Sequence, residues 1–256
     1  MSFGTYQAEQ LRKAFKVEVY FSVKHKLVLR NNAEITSVQD FNAKIEEEKE
    51  RIINDTGMKS PMRGPSAIGD YEILRSDASN IAAWLYRLKH TDMPSYQLIE
   101  ATVKSVAPYF RKFHLEPDAI NPNQIKLEWE EEDSDRYLDG YSFSDGTIRF
   151  IALAALLLSE KRPDIILIDE PELGLHPAAM TKMAAMIRRA SLKSQIILST
   201  QSAAFVDEFD SEDIIVAERN EEGSVFHRLD ATKLDSWFDN YSLGELWRKN
   251  ILGGRP

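Results

Sequence analysis

The second half of the chain alternates short apolar runs with longer segments of helical periodicity. The apolar runs predict strands at 164–171, 195–202, 213–219 and 224–230. Helices are predicted at 146–158, 177–191, 231–240 and 242–250. The first of these helices is apolar on almost every side, so we expect it to be buried. Strands that alternate with helices in this way predict an α/β fold with a mainly parallel sheet flanked by helices.

The first half of the chain contains three segments with different patterns. Residues 17–30 hold two short β-like runs and predict a hairpin, although no Asn-Gly or Asp-Gly pair marks its turn. Residues 38–52 predict a helix with a solvated, charged face. Residues 56–70 are rich in Gly and Pro and predict a loop. Lys59 and Arg63 in that loop could meet a phosphate, but turn formation alone accounts for the segment.

The middle of the chain predicts a helical subdomain. An apolar stripe of Ile81, Trp84, Leu85 and Leu88 predicts one helix, capped by Ser76 or Asp77. A second helix is predicted at Ser95–Val106, followed by a strand and an acidic turn within 124–135. Three domains are therefore expected: a hairpin and helix segment at 1–55, a helical lid-like subdomain at 56–136, and a C-terminal lobe at 137–256.

Composition narrows the class of protein. Lys and Arg total 32 against 41 Asp and Glu. The resulting net charge of −9 does not indicate DNA as a partner, although DNA stays possible through a local basic patch. The chain has no cysteine, so disulfides and thiolate metal sites are excluded. No apolar run reaches the length of a membrane span, and the first residues lack the apolar core of a secretory signal. We therefore expect a soluble, cytoplasmic protein.

Two adjacent acids, Asp169 and Glu170, follow the apolar run Ile165–Ile168. In open α/β sheets, ligands bind at the carboxyl ends of the strands. Neighbouring side chains on a strand point to opposite faces, so the two acids would have different tasks. One can hold Mg²⁺, which prefers hard oxygen ligands, and the other can orient or deprotonate a water molecule. A pair of acids that merely ends a strand at the surface is the alternative interpretation.

Three segments resemble motifs of ABC-type ATPases, in particular the group that includes SMC, RecF and OLD-like proteins. IILIDEPELGLHP resembles their Walker B strand and D-loop, YSFSDGTIRFIALAALLLSEKRPD their signature motif, and IILSTQS their switch strand. The order and spacing of the three agree. The chain also resembles the AAA_21 group of predicted AAA-type ATPases, and this resemblance covers 53–256. It implies part of a P-loop NTPase fold of the ABC ATPase head type.

The resemblance assigns Ser144, Asp145 and Gly146 to the signature turn, which faces the γ-phosphate of ATP bound to the opposite subunit. A hydroxyl and free amides at a helix start also suit an anion, although a simple N-cap would explain Ser144 equally well. Arg149, one turn further on, could reach a phosphate or be an exposed structural arginine. His176, in the D-loop-like turn, is expected to be an interface residue at most.

For the Walker B and switch segments, the resemblance implies that Asp169 supports Mg²⁺ and that Glu170 activates water. Gln201 stands where the switch strand usually has histidine, and it is implied as a sensor of the γ-phosphate. Glutamine can hydrogen-bond a phosphate or a water molecule but carries no charge at pH 7. A polar residue at a strand end is the alternative for Gln201.

The chain contains no G-x-x-x-x-G-K-[ST] segment, since none of its eleven glycines is followed by lysine. In the family, this Walker A motif lies near the N-terminus on the first strand, loop and helix. Three explanations remain open: a truncated or internally deleted ATPase, a split subunit with its P-loop on another chain, or a degenerate protein. We expect the first, because Asp169, Glu170 and the signature turn keep residues compatible with hydrolysis.

We therefore expect an ATP-binding and ATP-hydrolysing ABC-type head, present as an incomplete C-terminal portion, with ATP and Mg²⁺ as cofactors. The isolated chain should have weak or no activity. The expected partner is a second copy or a Walker A-containing chain. The alternative is a non-catalytic interaction module, or a split subunit that completes a partner ATPase in trans. An OLD-like nuclease has little support, because no further acidic cluster in a strand context follows Gln201.

Overall fold

The computed structural model describes residues 17–21, 56–163, 165–220, 223–229, 234 and 237–253. The chain forms two compact units, each built from separate stretches of sequence. The first, called here the sheet unit, comprises Met1–Glu50, Pro163–Glu172 and Met180–Pro256. The other, called the second unit, comprises Arg51–Arg162 and Leu173–Ala179.

The described residues form a mixed α/β fold. The strands are β1 (Val17–Phe21), β2 (Ser66–Ala67), β3 (Phe110–His114), β4 (Gln124–Ile125), β5 (Glu128–Glu131), β6 (Tyr137–Asp139), β7 (Ile165–Asp169), β8 (Gln195–Thr200), β9 (Ile214–Asn220) and β10 (Gly223–Arg228). The helices are α1 (Ile81–Thr91), α2 (Met93–Lys104), α3 (Asp145–Leu158), α4 (Pro177–Ala190), α5 (Ala203–Val206) and α6 (Leu243–Arg248). The helix predicted at 38–52 and half of the one predicted at 231–240 lie outside the described residues.

The sheet unit contains a five-stranded sheet in the order β10-β9-β1-β8-β7. β1 pairs in parallel with β8 and β9, and β7 pairs in parallel with β8. Only the pairing of β10 with β9 is antiparallel among the described strands of this sheet. Ile196, Ile197 and Leu198 in β8 are all buried, as expected for a strand covered on both faces. The prediction of a mainly parallel sheet is confirmed.

The predicted hairpin over 17–30 does not form around β1. A strand has two hydrogen-bonding edges, and residues Val19–Phe21 use one for β8 and the other for β9. No edge of this stretch is left for a strand that follows directly in sequence. Residues 22–30 themselves lie outside the described part of the chain. The apolar alternation was a correct signal for a strand, but it carried no information about the distant partners.

The second unit combines α1, α2 and α3 with a three-stranded antiparallel sheet in the order β3-β5-β6. α3 is almost entirely buried, as predicted, and packs against α2. Among the described residues, none of the helices has the length and apolarity needed to cross a membrane. Trp129 of β5 stacks on Phe143, with ring centroids 4.7 Å apart. The unit therefore continues past residue 136, the predicted domain boundary.

The start of α1 differs from the prediction. Its N-cap is Asn80, not Ser76 or Asp77. The Asn80 side chain is fully buried, donates to the Ile73 carbonyl at 2.8 Å and accepts from the Arg75 amide at 2.9 Å. Asn80 thus closes the preceding loop, and the helix can begin only after it.

Arg63 is a buried arginine that connects the Gly- and Pro-rich loop to the start of α3. Its side chain is 1% exposed. The guanidinium donates to the carbonyls of Thr56, Gly140 and Phe143, each at 2.8 Å, and to the Asp145 carboxylate at 2.6 Å. Arg63 therefore has a structural role inside the second unit. Its guanidinium is not exposed to solvent, as a phosphate ligand would be.

Replacement of Arg63 should destabilise the chain far more than replacement of its charged partner. Arg63→Ala leaves several buried carbonyls without donors, and we expect a loss of about 3 kcal/mol in the free energy of unfolding. Asp145→Asn should cost less than about 1 kcal/mol, because the Asp145 side chain is 64% exposed and its charge is screened. Urea denaturation of the two variants measures the difference. Equal losses would show that the ion pair, and not the carbonyl contacts, is the important interaction.

Candidate functional site

The parallel pairing of β7 with β8 determines where the predicted acid pair lies. The register places Asp169 opposite Ser199. The Ser199 hydroxyl donates to the Asp169 carboxylate, and the Glu170 amide donates to the Ser199 carbonyl at 2.9 Å. Because β7 and β8 are parallel, both strands end at the same edge of the sheet. This is the edge where open α/β sheets bind ligands.

Glu170 leaves the strand with an unusual backbone conformation. Its φ angle is +47°, in the left-handed region, which costs a non-glycine residue about 1 kcal/mol. The turn directs its carboxylate to Gln201, whose Nε2 donates to Glu170 Oε1 at 2.7 Å. Glu170 is half-buried and Gln201 is exposed. The structure thus brings together Asp169, Glu170 and Gln201, three residues that the sequence predicted as site residues.

A third acid, Glu172, belongs to the same edge and was not predicted as a site residue. It is only 6% exposed, and its carboxylate accepts from the Thr200 hydroxyl. Among the described residues, its Oε2 atom has no hydrogen-bond partner. Burial raises the pKa of Glu172 to about 7, and the Thr200 hydrogen bond opposes that rise. The sequence signal was weak, because Glu172 is one more acid in a polar turn.

The three acids are matched by three consecutive residues at the end of β8. Ser199 pairs with Asp169, Thr200 with Glu172, and Gln201 with Glu170. In the described part of the chain, no group of three or more His, Asp or Glu side chains is arranged to hold a metal ion by itself.

The predicted signature residues lie together at the start of α3, in the second unit. Ser144 is the N-cap, and its Oγ accepts from the Thr147 amide at 3.1 Å. The Asp145 carboxylate is paired with Arg63. This pairing makes Asp145 a residue that holds the turn in place. The N-cap interpretation of Ser144 is confirmed.

Gly146 is required by close packing against the turn that follows Glu172. A Cβ atom at Gly146 would lie 2.1 Å from the Gly174 carbonyl oxygen, so no larger residue fits without a shift. Gly174 itself has a φ of +77°, which favours glycine. The D-loop-like turn and the signature turn are therefore in backbone contact within the second unit.

The predictions for Arg149 and His176 have different outcomes. Arg149 is 3% exposed, so the expectation of an exposed structural arginine is wrong. Arg149 belongs to α3, in which almost every residue is buried. His176 is exposed, and its Nδ1 accepts from the Ala178 amide at 3.3 Å. This contact is local to the turn before α4, and the interface role of His176 stays a prediction.

The buried Glu172 makes stability depend on pH. Its folded-state pKa of about 7 lies above the ordinary value of 4.5, so the folded chain binds the proton more tightly than the unfolded chain. This contribution to stability is therefore lost as the pH rises from 4.5 through about 7, by up to about 3 kcal/mol. Glu172→Gln should be about as stable as the parent chain at pH 5 and more stable at pH 8.

Thermal or urea unfolding of both proteins across this pH range measures the effect. Glu208→Gln is the matched control, because Glu208 also accepts a hydrogen bond from a threonine hydroxyl but lies away from the ends of β7 and β8. Parallel stability curves for the parent chain and Glu172→Gln would contradict the raised pKa.

Comparison with known proteins identifies the family to which the chain belongs. No curated protein matches the chain. The Smc head domain from Pyrococcus furiosus, solved with the C-terminal domain of ScpA, is 17% identical, with a TM-score of 0.44 over 64% of this chain and 44% of that one. A structure from work on the "structural biochemistry of ATP-driven dimerization and DNA stimulated activation of SMC ATPases" is 18% identical, with a TM-score of 0.45. That match covers 62% of this chain and 99% of the other. The SMC head domain from Thermotoga maritima is 12% identical, with a TM-score of 0.38 over 58% and 52%.

The chain thus spans less than half the length of the first of these structures. The AAA_21 family model, described as "AAA domain, putative AbiEii toxin, Type IV TA system", matches residues 6–207. The match begins earlier than the resemblance predicted from residue 53 and ends at Asp207. It covers well over half of the chain, which therefore belongs to the AAA_21 family of AAA-type ATPase domains.

Proposed function

We propose that this chain supplies the Walker B, switch and signature elements of an ABC-type ATPase head that hydrolyses ATP with Mg²⁺. The hydrogen bond between Glu170 and Gln201, at the carboxyl end of two parallel strands, is the observation that carries the proposal. It joins a carboxylate able to act as a base to a neutral group able to sense a phosphate. Membership of the AAA_21 family supports nucleotide chemistry at this edge.

Asp169 is the proposed metal-supporting residue. Its carboxylate is half-buried at the end of β7 and is oriented by the Ser199 hydroxyl. Carboxylate and hydroxyl oxygens are hard donors that suit Mg²⁺, and this ion usually keeps waters and takes phosphate oxygens as further ligands. When bound, Mg²⁺ would neutralise charge that develops on the phosphates. A site with a single protein carboxylate fits that coordination.

Glu170 is the proposed residue that orients and deprotonates the attacking water. Its carboxylate is accessible, and the Gln201 amide fixes one of its two oxygens. A carboxylate oriented in this way can accept a hydrogen bond from water and then its proton. Gln201 can still donate its second amide hydrogen to a γ-phosphate oxygen, although without the positive charge of a histidine. We therefore expect slower turnover than from a site with a charged switch residue.

Ser144, Asp145 and Gly146 are proposed to face the phosphate bound by an opposite subunit. The Asp145 carboxylate would repel a phosphate, and its pairing with Arg63 reduces that repulsion. The exposed Ser144 hydroxyl and the first amides of α3 are the groups that would donate. Arg63 and Gly174 hold this turn in place before any ligand arrives.

The phosphate-cradling P-loop is proposed to come from another chain, because no G-x-x-x-x-G-K-[ST] segment occurs in this sequence. We propose a Walker A-containing chain as the partner, or a longer copy in a head-to-head dimer. The same missing motif favours a second candidate, a non-catalytic module that pairs with an ATPase through its signature surface. Both candidates use Ser144 and Gly146, and they differ in whether Glu170 takes part in chemistry.

ATP turnover in the presence of a Walker A-containing chain distinguishes the two candidates. The pure chain should turn over ATP weakly or not at all, whereas the mixture should be active. Glu170→Gln should lower the rate of the mixture about 100-fold or more, because a positioned base contributes on that order. Glu208→Gln, an acid outside the site, should not change it. Calorimetry with Mg-ATP reports binding in each case.

Two outcomes would contradict the proposal. Turnover by the pure chain that is lost on Glu170→Gln would show that the site is complete without a partner. Turnover by the mixture that is unaffected by Glu170→Gln would favour the non-catalytic module.

A further inference from the structure

The contact between Glu172 and Thr200 has no task in the chemistry proposed above. Both side chains are buried, with 6% and 1% exposure. Burial of an acid is costly unless it serves a purpose, and the Glu172 Oε2 atom has no hydrogen-bond partner among the described residues. An apolar side chain would fill this position at lower cost. The pair therefore calls for a functional explanation.

Thr200 uses its hydroxyl twice. It donates to the Glu172 carboxylate and accepts from the Ser202 amide at 3.0 Å. These two bonds hold the backbone on both sides of Gln201, which is the residue between Thr200 and Ser202. Gln201 itself is exposed, and its side chain is fixed only by the 2.7 Å bond to Glu170 among the contacts described for it.

We propose that Glu172 is a positioning residue, which acts through Thr200 to hold Gln201 where it can hydrogen-bond the Glu170 carboxylate. The inference rests on the proposed function, because Gln201 and Glu170 are its switch residue and its base. Glu170 and Glu172 lie on one side of this arrangement, and Thr200 and Gln201 lie on the other. Two side-chain bonds thus close a ring across the ends of β7 and β8.

A purely structural role for Glu172 is the competing explanation. In that case, loss of the Thr200 bond would lower the stability of the chain but leave Gln201 in place. The two explanations differ in the state of the Gln201 side-chain amide. When Nε2 donates to Glu170, its two hydrogens have different surroundings and give well-separated NMR signals. A free glutamine amide gives the smaller separation of a solvated group.

The test is a ¹⁵N NMR measurement on the full chain, without nucleotide. Thr200→Val keeps the shape but removes the hydroxyl, and it should reduce the separation of the Gln201 amide signals to that of a free glutamine. Thr200→Ser should restore it. Glu172→Leu should lose it and Glu172→Gln should keep it, because the amide oxygen still accepts from Thr200. Glu170→Ala removes the acceptor directly and shows the size of the full loss.

Thr181→Val is the matched control. Thr181 also donates to a glutamate, Glu208 Oε1 at 2.6 Å, in the sheet unit but outside the ring. It should leave the Gln201 signals unchanged. The inference is overturned if Thr200→Val leaves the separation intact while Glu170→Ala abolishes it. It is also overturned if Glu170→Ala has no effect, since the bond to be positioned would then be missing. Neither NMR result depends on ATP turnover. A failure of the proposed ATPase function would appear in the turnover assay and not in these spectra.

Discussion

The parallel register of β7 against β8 is the constraint on which the candidate site depends. It places Asp169 opposite Ser199, so the next residues of both strands leave the sheet side by side. Three acids that would otherwise repel one another then meet Ser199, Thr200 and Gln201 in turn. A shift of the register by one residue would turn each side chain to the opposite face and break all three contacts.

The second unit fixes the start of α3 by a different means. The start of α3 is held by the buried Arg63 on one side and by the Gly174 backbone on the other. These contacts fix the backbone amides before any anion is present, which lowers the entropy cost of binding. Arg63 also offsets the charge of Asp145, the one acid in the turn that would face a phosphate. Preorganisation of this kind agrees with a role in a phosphate-facing turn.

The sequence predicted most of the second half correctly, because its strands and helices have strong local patterns. The apolar run before Asp169 and the all-round apolar α3 are examples. Contacts between distant residues could not be predicted in the same way. Arg63 and Asp145 are 82 residues apart, and nothing near Arg63 signals its burial. The hairpin was wrong and Glu172 was missed for the same reason, since both depend on partners far along the chain.

The ends of β7 and β8 are the edge at which we propose that the metal ion and the nucleotide bind. The most direct measurement is paramagnetic broadening of the amide signals of the ¹⁵N-labelled chain by Mn²⁺, a substitute for Mg²⁺, added together with ATP and an unlabelled Walker A-containing chain. We predict that broadening is strongest at Asp169, Glu170 and Ser199, and that Asp169→Asn removes it. Broadening confined to the acidic segment 130–135, with sharp signals at 169 and 170, would contradict the account.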